Sequence, residues 1–181
     1  METEKEIVYL FTKPKAWFKP FSWLIKWRIG RPYSHVAVAV YLKAIGDYKV
    51  YQASNGDVNT VMLQNFVKYT DVVYSVSKKM EKTPWLNAVR YMEMQTGKKY
   101  NLLGALASTL GWARKLNIGN DGDKSFFCSE YAYQAFQIAS GNNDNLDSDY
   151  IDPADFELLI IDNYDLELKN GLKLNEEIQY L

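Results

Sequence analysis

The sequence predicts an α+β fold in which an antiparallel sheet packs against helices, and three observations predict it. Strand-like patterns dominate from Glu6 to Val76, helix-like patterns dominate from Trp85 to Ser140, and the turns between successive strands are short. The chain has 181 residues, 48% of them hydrophobic and 24% charged, which suits a single domain with one sizeable core and excludes global disorder. That domain is expected to span 1–181, with its core at about 5–162 and a C-terminal hairpin or tail at 163–181.

The elements follow in order. Glu6 to Phe11 reads as an opening strand, and Pro14 and Pro20 bracket the turn before a short helix at Phe21 to Ile29, which Gly30 and Pro32 end. Ser34 to Tyr41 (SHVAVAVY) has small and branched residues on both faces, the mark of a strand buried on both sides. Tyr48 to Ala53 and Asp57 to Leu63 are two more strands around the turn Ser54-Asn55-Gly56, and Asp71 to Val76 completes a meander. Thr83 is expected to cap a helix with Pro84 at its first position, Trp85 to Thr96 as its body and Gly97 as its stop. Asn101 to Leu116 and Ser125 to Ser140 read as two further helices. Asp152-Pro153 starts a turn or short helix, Leu158 to Ile161 is branched enough for a late strand, and Asn170-Gly171 signals a hairpin.

Composition removes several function classes. With one cysteine, Cys128, and one histidine, His35, the sequence allows neither an internal disulfide nor a cysteine-based or multi-histidine metal site. The segment Asp121-Gly122-Asp123 lacks the ligand spacing of a calcium loop and reads as a solvent-facing turn. The net charge of −1 gives no basic field for nucleic acid. Acids in the opening METEKE and the lack of a long apolar run suggest a cytoplasmic protein without a signal peptide or membrane span.

Charge is nonetheless uneven. Lys13 to Arg31 holds six bases and no acid among Trp17, Phe18, Phe21, Trp23 and Trp27, whereas Gly141 to Leu181 holds eleven acids and two lysines. The basic aromatic segment suits an anionic or acyl-bearing substrate or a peripheral membrane contact; its plainer reading is a cover helix whose tryptophans pack on the sheet.

A helix start gathers unpaired backbone N–H groups and the positive dipole end, so Cys128, just after Ser125, is a candidate thiolate. His35, opening a strand, is the candidate base. On their own these residues leave open a small core cysteine and a core histidine.

The segments YSHVAVAV (33–40), VYQASNGDV (50–58) and FFCSEYAYQAF (126–136) resemble the permuted papain-like cysteine hydrolases, circularly permuted relatives of the NlpC-type peptidases that include YiiX-like and YebB-like proteins. The GKKYN (97–101) and IDPADF (151–156) stretches extend the resemblance over roughly residues 5 to 160. Lecithin:retinol acyltransferase-like proteins share the permuted order. The resemblance implies a papain-like fold with Cys128 as nucleophile, His35 as base and Gln52 as the polar residue orienting the imidazole. Glutamate or histidine is frequent at that third place; a neutral amide can fix the tautomer but adds no charge, which implies weaker ion-pair character. Pairing His35 with Gln52 is expected to need a turn near Lys43 to Ile45. The Cys128 N–H would serve the oxyanion, Tyr33 would add a hydroxyl or line the cleft, and Tyr100 would shape the pocket. Ser129 and Glu130 are expected to support the helix start.

The implied function is hydrolysis or transfer at an amide or ester bond of a small-molecule, peptide or lipid acyl substrate, with no metal or organic cofactor. A binding or accessory protein on the same fold, and a lipid acyltransferase, are the alternatives.

Overall fold

The computed structural model describes residues 5–15, 20–54, 56–110, 116, 124–141, 146–162 and 167–169. One eight-stranded sheet runs through them. In chain order the elements are β1 (Lys5–Pro14), α1 (Pro20–Ile29), β2 (His35–Leu42), β3 (Asp47–Ser54), β4 (Asp57–Met62), α2 (Leu63–Tyr69), β5 (Thr70–Met80), α3 (Lys82–Gln95), β6 (Lys99–Tyr100), α4 (Leu102–Ser108), β7 (Ser125–Phe126), α5 (Cys128–Ser140), a 3-10 turn (Ser148–Tyr150), α6 (Pro153–Asp162) and β8 (Glu167–Lys169). The strands lie in the order β7-β6-β4-β3-β2-β1-β5-β8, and every pair but β6–β7 is antiparallel.

Alternation divides the sheet into two faces. Ile7, Tyr9 and Phe11 of β1, with Val36, Val38 and Val40 of β2, meet Tyr131, Ala135 and Phe136 of α5 and Phe156 and Ile160 of α6 in the larger core. The residues between them, Val8, Leu10, Ala37 and Ala39, turn to the other face and pack with Leu63 and Phe66 of α2. Val36 to Val40 are therefore all buried, as the two-sided pattern of SHVAVAVY predicts.

Several boundaries differ from expectation, each for a physical reason. Leu158 to Ile161 is helical, not a strand. Asp152 accepts hydrogen bonds from the N–H groups of Ala154 (2.8 Å) and Asp155 (2.9 Å), and the Asp155 carboxylate in turn accepts one from the Asp152 N–H (3.3 Å). This reciprocal cap starts α6 and outweighs the β preference of the branched run. Glu81, not Thr83, precedes α3, because Pro84 also fits inside the first turn, where its missing N–H would have no intrahelical partner. The expected helix from Asn101 ends at Ser108 and is capped by the Asn101 side chain on the Gly104 N–H (2.7 Å). Residues 111–115, Asp121-Gly122-Asp123 and the Asn170-Gly171 hairpin lie outside the described residues.

The cover-helix reading of α1 is reversed. Only Ile25 is buried, while Trp23 and Trp27 are 64% and 69% exposed and stack on each other.

Tyr33 also departs from expectation. It is fully buried, and its hydroxyl donates to Glu157 at 2.6 Å beside the Arg31 guanidinium, which is 3.0 Å from the same carboxylate; Tyr74 donates to the other oxygen. The hydroxyl is thus spent within the core and does not face a cleft. Tyr33→Phe should cost about 1–2 kcal/mol in urea unfolding, the scale for removing one buried hydrogen bond to a charged group.

Candidate active site

The site begins where two strands part. β2 and β3 pair from Leu42↔Asp47 to Val38↔Tyr51, yet β2 starts three residues earlier, at His35, and β3 runs on to Ser54. His35 and Gln52 flank the opening. The connecting turn spans Lys43 to Gly46, one residue longer than expected, so Gln52 lies diagonal to His35 on the same face instead of directly opposite. The diagonal is still short enough for contact: His35 Nε2 and Gln52 Oε1 are 3.1 Å apart.

That contact continues along the sheet. Gln52 Nε2 donates to Asn59 Oδ1 at 3.1 Å, across the register pair Gln52↔Asn59, and Asn59 Nδ2 donates to Asp57 Oδ1 at 2.8 Å. The direction of the relay is set at its far end. An ionised carboxylate only accepts, so Asn59 must turn its NH2 to Asp57 and its oxygen to Gln52. Gln52 must then turn its NH2 to Asn59 and its oxygen to His35. His35 consequently carries its proton on Nε2 and presents a bare Nδ1 lone pair.

His35 is only partly exposed. Burial lowers its pKa from 6.5 to about 4, against the opposing effect of the Gln52 hydrogen bond. A neutral imidazole is therefore its resting state near neutral pH.

Cys128 opens α5, three residues after the helix start expected at Ser125, because Ser125 and Phe126 pair with β6 as strand β7. Its helix start is held by Glu130, whose carboxylate accepts the Phe127 N–H at 3.2 Å. The backbone of Val36, the residue after His35, and of Ser129 and Cys128, with the Ser129 side chain, lies close enough to the sulfur to pull its pKa down. These favour the thiolate. Burial outweighs them, and the thiol stays above its ordinary range, which reverses the expectation of a depressed value. Cys128 is 3% exposed, and no hydrogen bond joins it to His35.

Strand alternation explains the separation. It turns the His35 ring toward the α2 face, while α5 packs on the other.

Tyr100 stands near the thiol because β6 pairs in parallel with β7, placing Tyr100 beside Phe126 two residues before Cys128. Burial and the neighbouring Cys128 raise its pKa, so its phenol stays protonated.

A cavity of about 850 Å³ lies on the α2 face, between that helix, α1 and the sheet. His35, Gln52, Asn59 and Tyr100 line one part of it, and Phe21, Ile25 and Phe66 supply apolar walls. Lys15 and Lys68 also line it, and among the described residues no acid does. Ser22 of α1 hydrogen-bonds Ser34 at 2.5 Å, tying the helix beside His35. Neither Cys128 nor Tyr33 belongs to the lining.

Of the five site residues read from sequence, the structure thus gathers His35, Gln52 and Tyr100 at one cavity. Cys128 is buried next to β2, and Tyr33 belongs to the core. Asn59 and Asp57 escaped the sequence reading. The available signal was the alternation of polar residues through DVNT, which acquires meaning only once Asn59 is known to face Gln52.

The fold places the chain among α+β proteins of YiiX-like architecture. The solved structure of the metalloprotein YiiX from Escherichia coli O157:H7 is similar, with a TM-score of 0.54 and 16% identity over 78% of this chain and 69% of that one. No protein-family model and no curated protein matches the chain. Among the described residues no three His, Cys, Asp or Glu side chains cluster as metal ligands, and no helix is long and apolar enough to cross a membrane.

Proposed function

We propose that the chain is a permuted papain-like cysteine hydrolase acting on an amide or ester bond. The observation that supports it best is the relay from Asp57 through Asn59 and Gln52, which leaves His35 Nδ1 free to accept a proton. In this reading Nδ1 takes the Cys128 proton as the sulfur attacks the acyl carbon. The new C–S bond leaves an oxyanion, for which the Cys128 N–H and the Tyr100 hydroxyl are the donors. Collapse expels the amine or alcohol, which takes the proton back from His35. Water, deprotonated by the same nitrogen, then cleaves the thioester, releasing the carboxylic acid and restoring the thiol.

Because the resting state pairs a thiol with a neutral imidazole, proton transfer must accompany attack. The reading therefore requires the His35 ring to swing from the α2 face toward the sulfur when substrate binds. Gln52→Ala should lower the acylation rate about 100-fold by freeing the imidazole tautomer. Gln52→Glu should move the acid limb of the pH–rate profile upward, because a carboxylate favours imidazolium. An unchanged rate and profile in both variants would reject the relay's role.

A second reading is a binding protein on the same fold. The buried thiol, with its raised pKa and no hydrogen bond to His35, favours it. In that case ligands enter the cavity with no covalent adduct at Cys128. The cavity's apolar walls and two lysines suit an acyl group carrying negative charge in either reading.

A further inference from the structure

Helix α1 presents its apolar side to solvent. Trp23, Leu24 and Trp27 are exposed, and the two indoles stack with centroids 6.4 Å apart and planes 10° from parallel. Phe21, Tyr69 and Leu102, which line the cavity, are themselves 50%, 76% and 44% exposed. An exposed pair of stacked tryptophans beside Leu24 marks an interaction site.

The charge around it selects the partner. Lys26 and Arg28 lie on the same helix with no acidic partner among the described residues, and Lys15 and Lys68 line the cavity beside it. Lys15 has only a long pair with Asp71, at 3.9 Å, and the sequence from Lys13 to Arg31 contains no acid. A second copy docked through the same face would set Lys26 and Arg28 against their own equivalents. An anionic bilayer surface instead satisfies both features, since tryptophan settles at the headgroup boundary and the bases meet lipid phosphates.

We infer that α1 docks this protein on anionic membranes, with Trp23 and Trp27 in the headgroup layer and Lys26 and Arg28 on the phosphates. The inference does not depend on the chemistry at Cys128.

The test is co-sedimentation of the full chain with phosphatidylcholine vesicles, with and without about one-third phosphatidylglycerol. The wild type should partition onto the anionic vesicles and be released by salt. Trp23→Ala/Trp27→Ala should weaken partitioning about tenfold or more, and Lys26→Glu/Arg28→Glu should do so on anionic vesicles. All four side chains lie on one surface helix, so far-UV circular dichroism should be unchanged. Should the tryptophan variant lose its native spectrum, the charge variant decides. No partitioning by the wild type, or partitioning undiminished in both variants, overturns the inference. So does a dimer in light scattering that the tryptophan variant abolishes while vesicles fail to bind, because the patch would then be an interface between copies.

Discussion

Cys128→Ala is expected to abolish covalent capture of an electrophilic acyl probe, and Cys128→Ser to reduce it by three orders of magnitude or more. The chain has no other cysteine, so mass spectrometry of the labelled protein reads this one site without background. The effect should be all or none because the sulfur supplies the bond, whereas Gln52 acts only through the imidazole. Labelling rates should rise with pH beyond the ordinary thiol range, since burial keeps Cys128 protonated at neutrality. Substrate-like acyl probes should react far faster than iodoacetamide. Equal reaction of both probes would favour the binding-protein reading.

His35 carries the second large effect, on stability. Its folded pKa of about 4 lies below the 6.5 of an unperturbed imidazole. Between those values the unfolded chain binds a proton that the folded chain does not. Stability from this group is therefore fully present above pH 6.5 and declines as the pH falls toward 4, by about 3 kcal/mol in total. The measurement is the wild-type unfolding free energy minus that of His35→Gln across this window. The difference should slope with pH, because glutamine does not titrate, and carboxylates common to both proteins cancel. A flat difference would show that His35 titrates normally. The same low pKa places the acid limb of the rate profile near 4, so the base remains competent in mildly acidic solution.

How much of this was legible depended on the range of each signal. Local, strongly periodic signals read well: SHVAVAVY gave a doubly buried strand, and the FFCSE segment placed Cys128 at a helix start. Short or conflicting ones did not. LQNFVKY has too few residues to display a helical period, yet it forms α2 because Leu63 and Phe66 meet the sheet. The LLII run of α6 was outvoted by the Asp152 cap. Long-range placement was the least legible. Aromatic residues in α1 were expected to seek the sheet, but a helix held by Ile25 and Ser22 leaves its tryptophans outside. Tyr33 shares strand parity with His35, but β2 begins only at His35, and Glu157, 124 residues away, claims its hydroxyl. Asn59 and Asp57 needed the β3–β4 register before they could be seen as parts of one relay.

The parting of β2 from β3 has a mechanical consequence. Over most of their length the two strands are zipped, and their neighbours on either side reinforce them, so deformation there would break many hydrogen bonds together. Beyond Val38 and Tyr51 the pair loses its ladder, and compliance concentrates at that end. A small splaying there moves His35 relative to Gln52 and α5 while the rest of the sheet stays stiff. The scaffold thus resembles a clothes-peg, whose jaws can adjust to what they grip because the grip itself lies beyond the spring.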